Sequence, residues 1–313
     1  MISSTKNSIL STSLVLSALF LNSCNMADVL AQTQKIGLTD EEVISGLKTA
    51  LVVGVDSAQT HASSELQGFL VNQAIKIALP EDAQVAVRTL EGIGEYTKAL
   101  KSYVAARPLL ARQLSAQNAQ AFDFSTINDL ANLSNLSEQI VTSINQAASY
   151  AAPKAKPIFG NAITSMTFMD AWGILRSSKT DTATSYLKVK TFYALDNAFR
   201  PDVKNALDKV SATKYWGDFS SLYNKTVSTY KTSTAALTSA TFGVVTPQSL
   251  SASAPNPNNL DTLTTNLEAY TTQGALKGMF YLVGGEETKI RENPAGYAED
   301  ILQKVFGSLL DEK

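Results

Sequence analysis

The chain has 313 residues, 44% apolar and 17% charged, with a formal net charge of −2. That is long and apolar enough to bury a core, and it excludes a disordered polyelectrolyte. Lys and Arg are scattered, which argues against a nucleic-acid partner, and one cysteine with one histidine permits neither a disulfide nor a zinc site, so no metal or other cofactor is expected.

Lys6 is the only charge in the first 27 residues, and residues 9–21 form a mainly apolar run. At about 1.5 Å per residue this run cannot cross a hydrocarbon core of about 30 Å, so it reads as a secretory signal rather than a membrane span. It ends in Leu21-Asn22-Ser23-Cys24, which resembles a bacterial lipobox. The resemblance implies cleavage before Cys24 and a diacylglycerol on its thiol. Asn25, rather than an aspartate, follows the cysteine. In a proteobacterial host that favours the outer membrane, with the protein facing the periplasm. The chain then divides into a signal peptide (1–23), a tether (24–37) and a single helical domain (38–313), with loop-rich insertions near 109–125 and 232–259.

The first strong helix opens at Thr39, where Thr39 and Glu42 have capping-box spacing. Val43, Leu47, Leu51, Val55 and Ala58 supply one apolar stripe, and His61 near its end reads as a partner of the helix dipole. Residues 68–70 and 75–80 read as a connector, a segment expected to be short extended structure packed on the helices. Pro80 with Glu81 and Asp82 starts a second helix, which Gly92-Ile93-Gly94 is expected to break or bend. A helical pattern returns from Glu95 and stops at Pro108. Residues 109–125 are polar and without clear period.

Ile127, Leu130, Leu133, Leu136, Ile140, Val141 and Ile144 predict a helix over 126–150, with Pro153 and Pro157 as punctuation beyond it. Thr167 has N-cap character before a short helix carrying Trp172. Asp181 is placed to cap the next helix, which is expected to bury Tyr186, Val189, Tyr193, Leu195 and Phe199 and to stop before Pro201. Val203, Leu207 and Val210 mark another. Residues 211–259 are Ser- and Thr-rich and end in a Pro/Asn loop; helices over 260–283 and 298–310 close the chain. With no strand alternation and no fixed repeat, the fold class is all-α: a compact multi-helix bundle or helical array after an N-terminal signal peptide.

Several motifs recur in a fixed order. They are Gly68-Phe69-Leu70, residues 75–80, Asn145-Gln146-Ala147-Ala148, residues 155–159, residues 166–175, residues 182–187, Gly278-Met279-Phe280 and residues 286–294. Together they resemble the DUF4197 family over most of 38–100 and 140–307. The family usually has Arg where this chain has Gln146 and Glu where it has Ser149, so any charge pair there is missing. The resemblance implies a helical fold and an envelope location, and it implies no reaction.

The candidate ligand or structural cluster is Asp170, Thr184, Tyr186, Glu287 and Arg291, with Cys24 as the lipidation site. Glu287 and Arg291 are four apart and can pair on one helical face, or Arg291 can reach into the bundle toward Asp170. No nucleophile, base and orienting group stand at recognisable spacing, so no catalytic residue is assigned. The expected role is a lipid-anchored envelope protein working as a non-enzymatic binding or interaction module. Its partners would be the membrane, through the anchor, and an envelope protein or apolar ligand. The alternative is a carboxylate-based enzyme acting on envelope polymers or lipids.

Overall fold

The computed structural model describes residues 37–117 and 133–310. The expected signal, Cys24, nearly all of the tether, and Ile127 and Leu130 lie outside the described residues. Among the described residues every regular element is helical: α1 (Asp40–Ser63), α2 (Glu81–Ala105), α3 (Pro108–Gln117), α4 (Leu133–Thr164), α5 (Phe168–Leu175), α6 (Thr182–Lys209), α7 (Ala212–Ala240), α8 (Pro247–Leu250), α9 (Leu267–Glu292) and α10 (Asp300–Leu310). Short 3-10 turns lie at Pro257–Asn259 and Pro294–Gly296.

Four long helices make the core. α1 packs on α9, α9 on α6, α6 on α4, and α4 back on α1. The predicted stripe of α1 drives this, since Val43, Leu47, Leu51, Val55 and Ala58 are all buried. Its start is fixed as expected: Glu42 N–H donates to Thr39 Oγ1 (3.2 Å) and Thr39 N–H donates to Glu42 Oε2 (3.0 Å). α5 and α10 pack on α1, and α10 comes close because α1 offers Gly46, where a Cβ would stand 2.6 Å from Val305. A second group, α2, α3, α7 and α8, packs through α7 onto α4. There Tyr96 and Tyr230 meet edge to face with ring centroids 5.1 Å apart.

Several expectations give way. α2 runs straight through Gly92 and Gly94. Gly92 is an approach point rather than a break, because a Cβ there would lie 2.3 Å from the Ser253 carbonyl oxygen. α4 continues to Thr164 with Pro153 and Pro157 inside it, and α6 passes through Pro201, joining two expected helices. All three prolines have exposed side chains, so their rings do not intrude on the core.

α6 buries Leu195 and Phe199 as expected, but the rest of its inward face differs. Val189 (79% exposed) and Tyr193 (83%) look outward, while Ala183, Leu187, Leu195, Phe199 and Val203 are buried at spacings of four and eight. Residues 212–240 are one helix despite their Ser/Thr content. Buried Ser233 and Thr234 return their hydroxyls to the Tyr230 and Lys231 carbonyls (3.0 Å each), so hydroxyl residues occupy a core stripe with Phe219, Tyr223 and Leu237.

Candidate functional site

The connector at 75–79 forms one wall of the site. Ile75, Ile77 and Leu79 are buried, while Lys76 and Ala78 face out, so the segment alternates as extended backbone does. Asn145 of α4, fully buried, pins it. The Asn145 carbonyl accepts from Ile77 N–H (2.8 Å), and its amide donates to Ile77 O (2.7 Å) and Val141 O (2.7 Å). Tyr270 adds a hydrogen bond to Ala78 O (3.0 Å). α9 lets this strap lie close by presenting glycine. A Cβ at Gly278 would stand 2.6 Å from the Phe69 ring, and one at Gly274 3.0 Å from Ile77.

The first turn of α6 forms the second wall, and α9 fastens it. Asp181 occupies the N-cap position but makes no side-chain cap bond. Glu287, 2% exposed, takes that place from another helix. Its carboxylate accepts from Ala183 N–H (3.0 Å), Thr184 N–H (2.8 Å) and the Thr184 hydroxyl (2.8 Å), and from Arg291 Nε (3.0 Å) and Nη2 (2.9 Å). A negative charge there meets both the free amides and the positive end of the helix dipole. Arg291 turns its remaining donors to the Ile174 and Leu175 carbonyls at the end of α5 (3.2 Å each). One ion pair therefore ties the end of α5 to the start of α6.

Asp170 and Tyr186 are a second meeting point of the same two helices. Asp170 closes a capping box with Thr167, whose hydroxyl lies 2.6 Å from its carboxylate. Tyr186 of α6 stands close enough to this carboxylate for each group to shift the other's pKa. Partial burial works to raise the Asp170 pKa, but its bonds to Thr167, the nearby Tyr186 hydroxyl and the charge of Lys190 outweigh it and hold the carboxyl below its ordinary value. Burial and the neighbouring carboxylate push the Tyr186 hydroxyl up to about 12. The predicted cluster thus separates into a buried Thr184–Glu287–Arg291 group and an outer Asp170–Tyr186 pair. Arg291 is committed to Glu287 and α5 rather than to Asp170.

Between the strap, α6 and α9 lies an open cavity of about 530 Å3, lined by Lys76, Asp181, Ser185, Lys188, Gln273, Lys277 and Tyr281 among others. A second cavity of about 390 Å3 shares Asp181, Thr184, Phe280 and Tyr281 with it and reaches His61 and Glu286. The two form one groove along α9, and Tyr281, 60% exposed, stands where they meet. Phe280 underneath is held edge to face against Phe159, with centroids 5.1 Å apart.

At the far end Ser57, His61 and Glu286 approach one another, but not in the order of a nucleophilic triad. His61 Nδ1 is 2.8 Å from Ser57 O, so that nitrogen carries the proton and donates to a carbonyl. The Ser57 hydroxyl donates to Glu286 (3.2 Å), which also accepts from Tyr297 (2.8 Å) and Lys289 (3.0 Å). Burial alone would raise the Glu286 pKa, but Lys289, Tyr297 and Ser57 together lower it. The Ser57 hydroxyl also lies 3.3 Å from His61 Nδ1, but a nitrogen that donates to the Ser57 carbonyl cannot take the hydroxyl proton, so the serine is not activated for attack. Among the described residues no group of three or more His, Cys, Asp or Glu side chains is gathered as a metal site would require.

Phe159 and Trp172 are buried in the core, and Tyr193 is on the outer surface. Sequence reasoning missed Lys76, Lys188, Lys277 and Tyr281. Lys277 and Tyr281 are one helical turn apart on α9, but Lys76 and Lys188 come from two other elements, so only the fold brings the four to one groove.

The chain matches a family model described as "Protein of unknown function (DUF4197)" over residues 37–107 and 115–307. No curated protein and no solved structure matches it.

Proposed function

The chain belongs to the DUF4197 family, and from that premise we propose that it is a lipid-anchored protein of the bacterial cell envelope, working there as a non-enzymatic binding module. The observation that carries the binding role is the groove along α9. It is open to solvent, has the volume of a small-molecule site, and its walls are held by Asn145 on one side and by Glu287 with Arg291 on the other. Anchoring at Cys24, on the periplasmic face of the outer membrane, rests on the lipobox-like run that ends there. No helix among the described residues is long and apolar enough to cross a membrane. Confinement at a surface would raise the effective concentration of any ligand or partner presented there.

The carboxylate-based enzyme is the weaker reading. Glu287 already accepts five hydrogen bonds and has no lone pair directed at a substrate. Asp170 is taken up by its capping box with Thr167.

The test is native mass spectrometry of the full chain, expressed in a bacterium with an envelope and extracted in mild detergent. The expected result is a chain beginning at an acylated Cys24 that carries a stoichiometric small ligand, lost when Tyr281 is changed to Ala. A chain retaining Met1 would overturn the anchoring, and a ligand-free mass would overturn the binding role.

A further inference from the structure

We propose that the groove takes a ligand bearing a dianionic, phosphate-type group, held between Lys76, Lys188 and Lys277. This rests on the groove being the binding site and adds the chemical class of what it binds. The three lysines come from three walls: the strap, the second turn of α6, and α9. Each is exposed, and among the described residues none is in an ion pair. Among the described residues, the only carboxylate lining the cavity is Asp181. Three like charges around one opening repel each other and focus a positive potential into it, an arrangement that an anion relieves.

Lysine ammoniums act as point charges from any direction, which suits the three non-bridging oxygens of a phosphomonoester; no arginine fork for a planar carboxylate lines the cavity. Neutral donors stand beside them in Ser185, Gln273 and Tyr281. The volume of about 530 Å3 is too large for a bare ion and fits a phosphate carried on an organic body. The body has a path past Tyr281 into the second cavity, over the Phe280 and Tyr281 rings. A soluble phosphate ester and the headgroup of a lipid share this chemistry.

The test is isothermal titration of the full chain in dodecyl maltoside. The probes are glycerol 3-phosphate, dihexanoyl phosphatidic acid and, as a neutral control, glycerol. The phosphates are expected to bind with an affinity that falls as salt is raised, and glycerol is not. Each of Lys76→Gln, Lys188→Gln and Lys277→Gln is expected to weaken binding about five-fold, the value of one solvent-screened charge contact. The triple variant should lose it, while Lys98→Gln, distant from the groove lining, leaves it unchanged. Tighter binding of the phosphatidic acid would support the inference with a lipid as the source. Equal binding of the two would support it with a soluble ester.

No binding of either phosphate at millimolar concentration, or binding that survives in the triple variant, overturns the inference. The two proposals fail separately. A neutral or cationic ligand found by mass spectrometry and lost in Tyr281→Ala would leave the binding module standing and remove the anion.

Discussion

Glu287 is the residue on which two helix ends depend. A buried ion pair can often be exchanged for apolar side chains with little loss, because the desolvation cost disappears with the charges. That exchange should fail here. The Glu287 carboxylate also satisfies the amides of Ala183 and Thr184, and Arg291 satisfies the carbonyls of Ile174 and Leu175. Glu287→Ala, which leaves Arg291 buried without its counter-charge, is expected to cost about 3–5 kcal/mol in chemical denaturation. The double variant Glu287→Leu/Arg291→Met should recover only part of it, since the Ala183 and Thr184 amides and the Leu175 carbonyl lose their partners, while the Ile174 carbonyl keeps the Ser177 N–H; full recovery would mean the pair does no capping.

Asp170 is milder and pH-dependent. Its folded pKa lies below the ordinary value, so its contribution is present above the unfolded carboxyl pKa of about 3.9 and is lost as pH falls through the folded value. Asp170→Asn should therefore lower stability by about 1 kcal/mol at neutral pH, the worth of a capping side chain, and the gap to the parent chain should close in acid. A pH-independent gap would assign the loss to packing instead of charge.

α9 shows at the scale of an element how glycine divides into two kinds. Gly278 meets the Phe69 ring and the Ile75 side chain, whereas a Cβ at Gly285, seven residues on, would find nothing within 4 Å. Gly278→Ala should destabilise by about 1–3 kcal/mol through overpacking, while Gly285→Ala should stabilise by roughly 0.5–1 kcal/mol by relieving backbone entropy. Thermal melts of the two variants moving in opposite directions would check this; a shift of the same sign would sink it.

The same split explains what could be read from the sequence. The capping box at Thr39 and the α1 stripe were legible, because capping and apolar period are local signals. Pro153, Pro157 and Pro201 misled, since their cost depends on whether their rings face out or into the core, and only packing decides that. The end of α7, from residue 232, looked like part of a loop-rich insertion because its hydroxyl residues hide a stripe that their own backbone bonds make buriable. Asp181 looked like the cap of α6, and nothing local could show that a carboxylate more than one hundred residues later takes its amides. The candidate cluster was legible as residues and not as an arrangement. Glu287–Arg291 had helical spacing, while the three groove lysines had none.

In the molecule as a whole, the four-helix ring and the strap have unequal security. The ring is closed by large apolar faces, whereas the strap is a short stretch without helix whose backbone is tied by Asn145 and Tyr270. Segments of that kind open at lower free energy than the core they rest on. Asn145→Ala removes both bonds to Ile77 and leaves its N–H and carbonyl to find water, which the buried strap can do only by lifting off α9. Hydrogen exchange should then accelerate over 74–79 while α1, α4, α6 and α9 keep most of their protection. Ligand affinity should fall at the same time, although every lysine of the groove is still present, because Lys76 rides on the strap and its wall is no longer held. Uniform acceleration across the ring would show instead that the strap is part of one cooperative unit, and that Asn145 stabilises the bundle without shaping the groove.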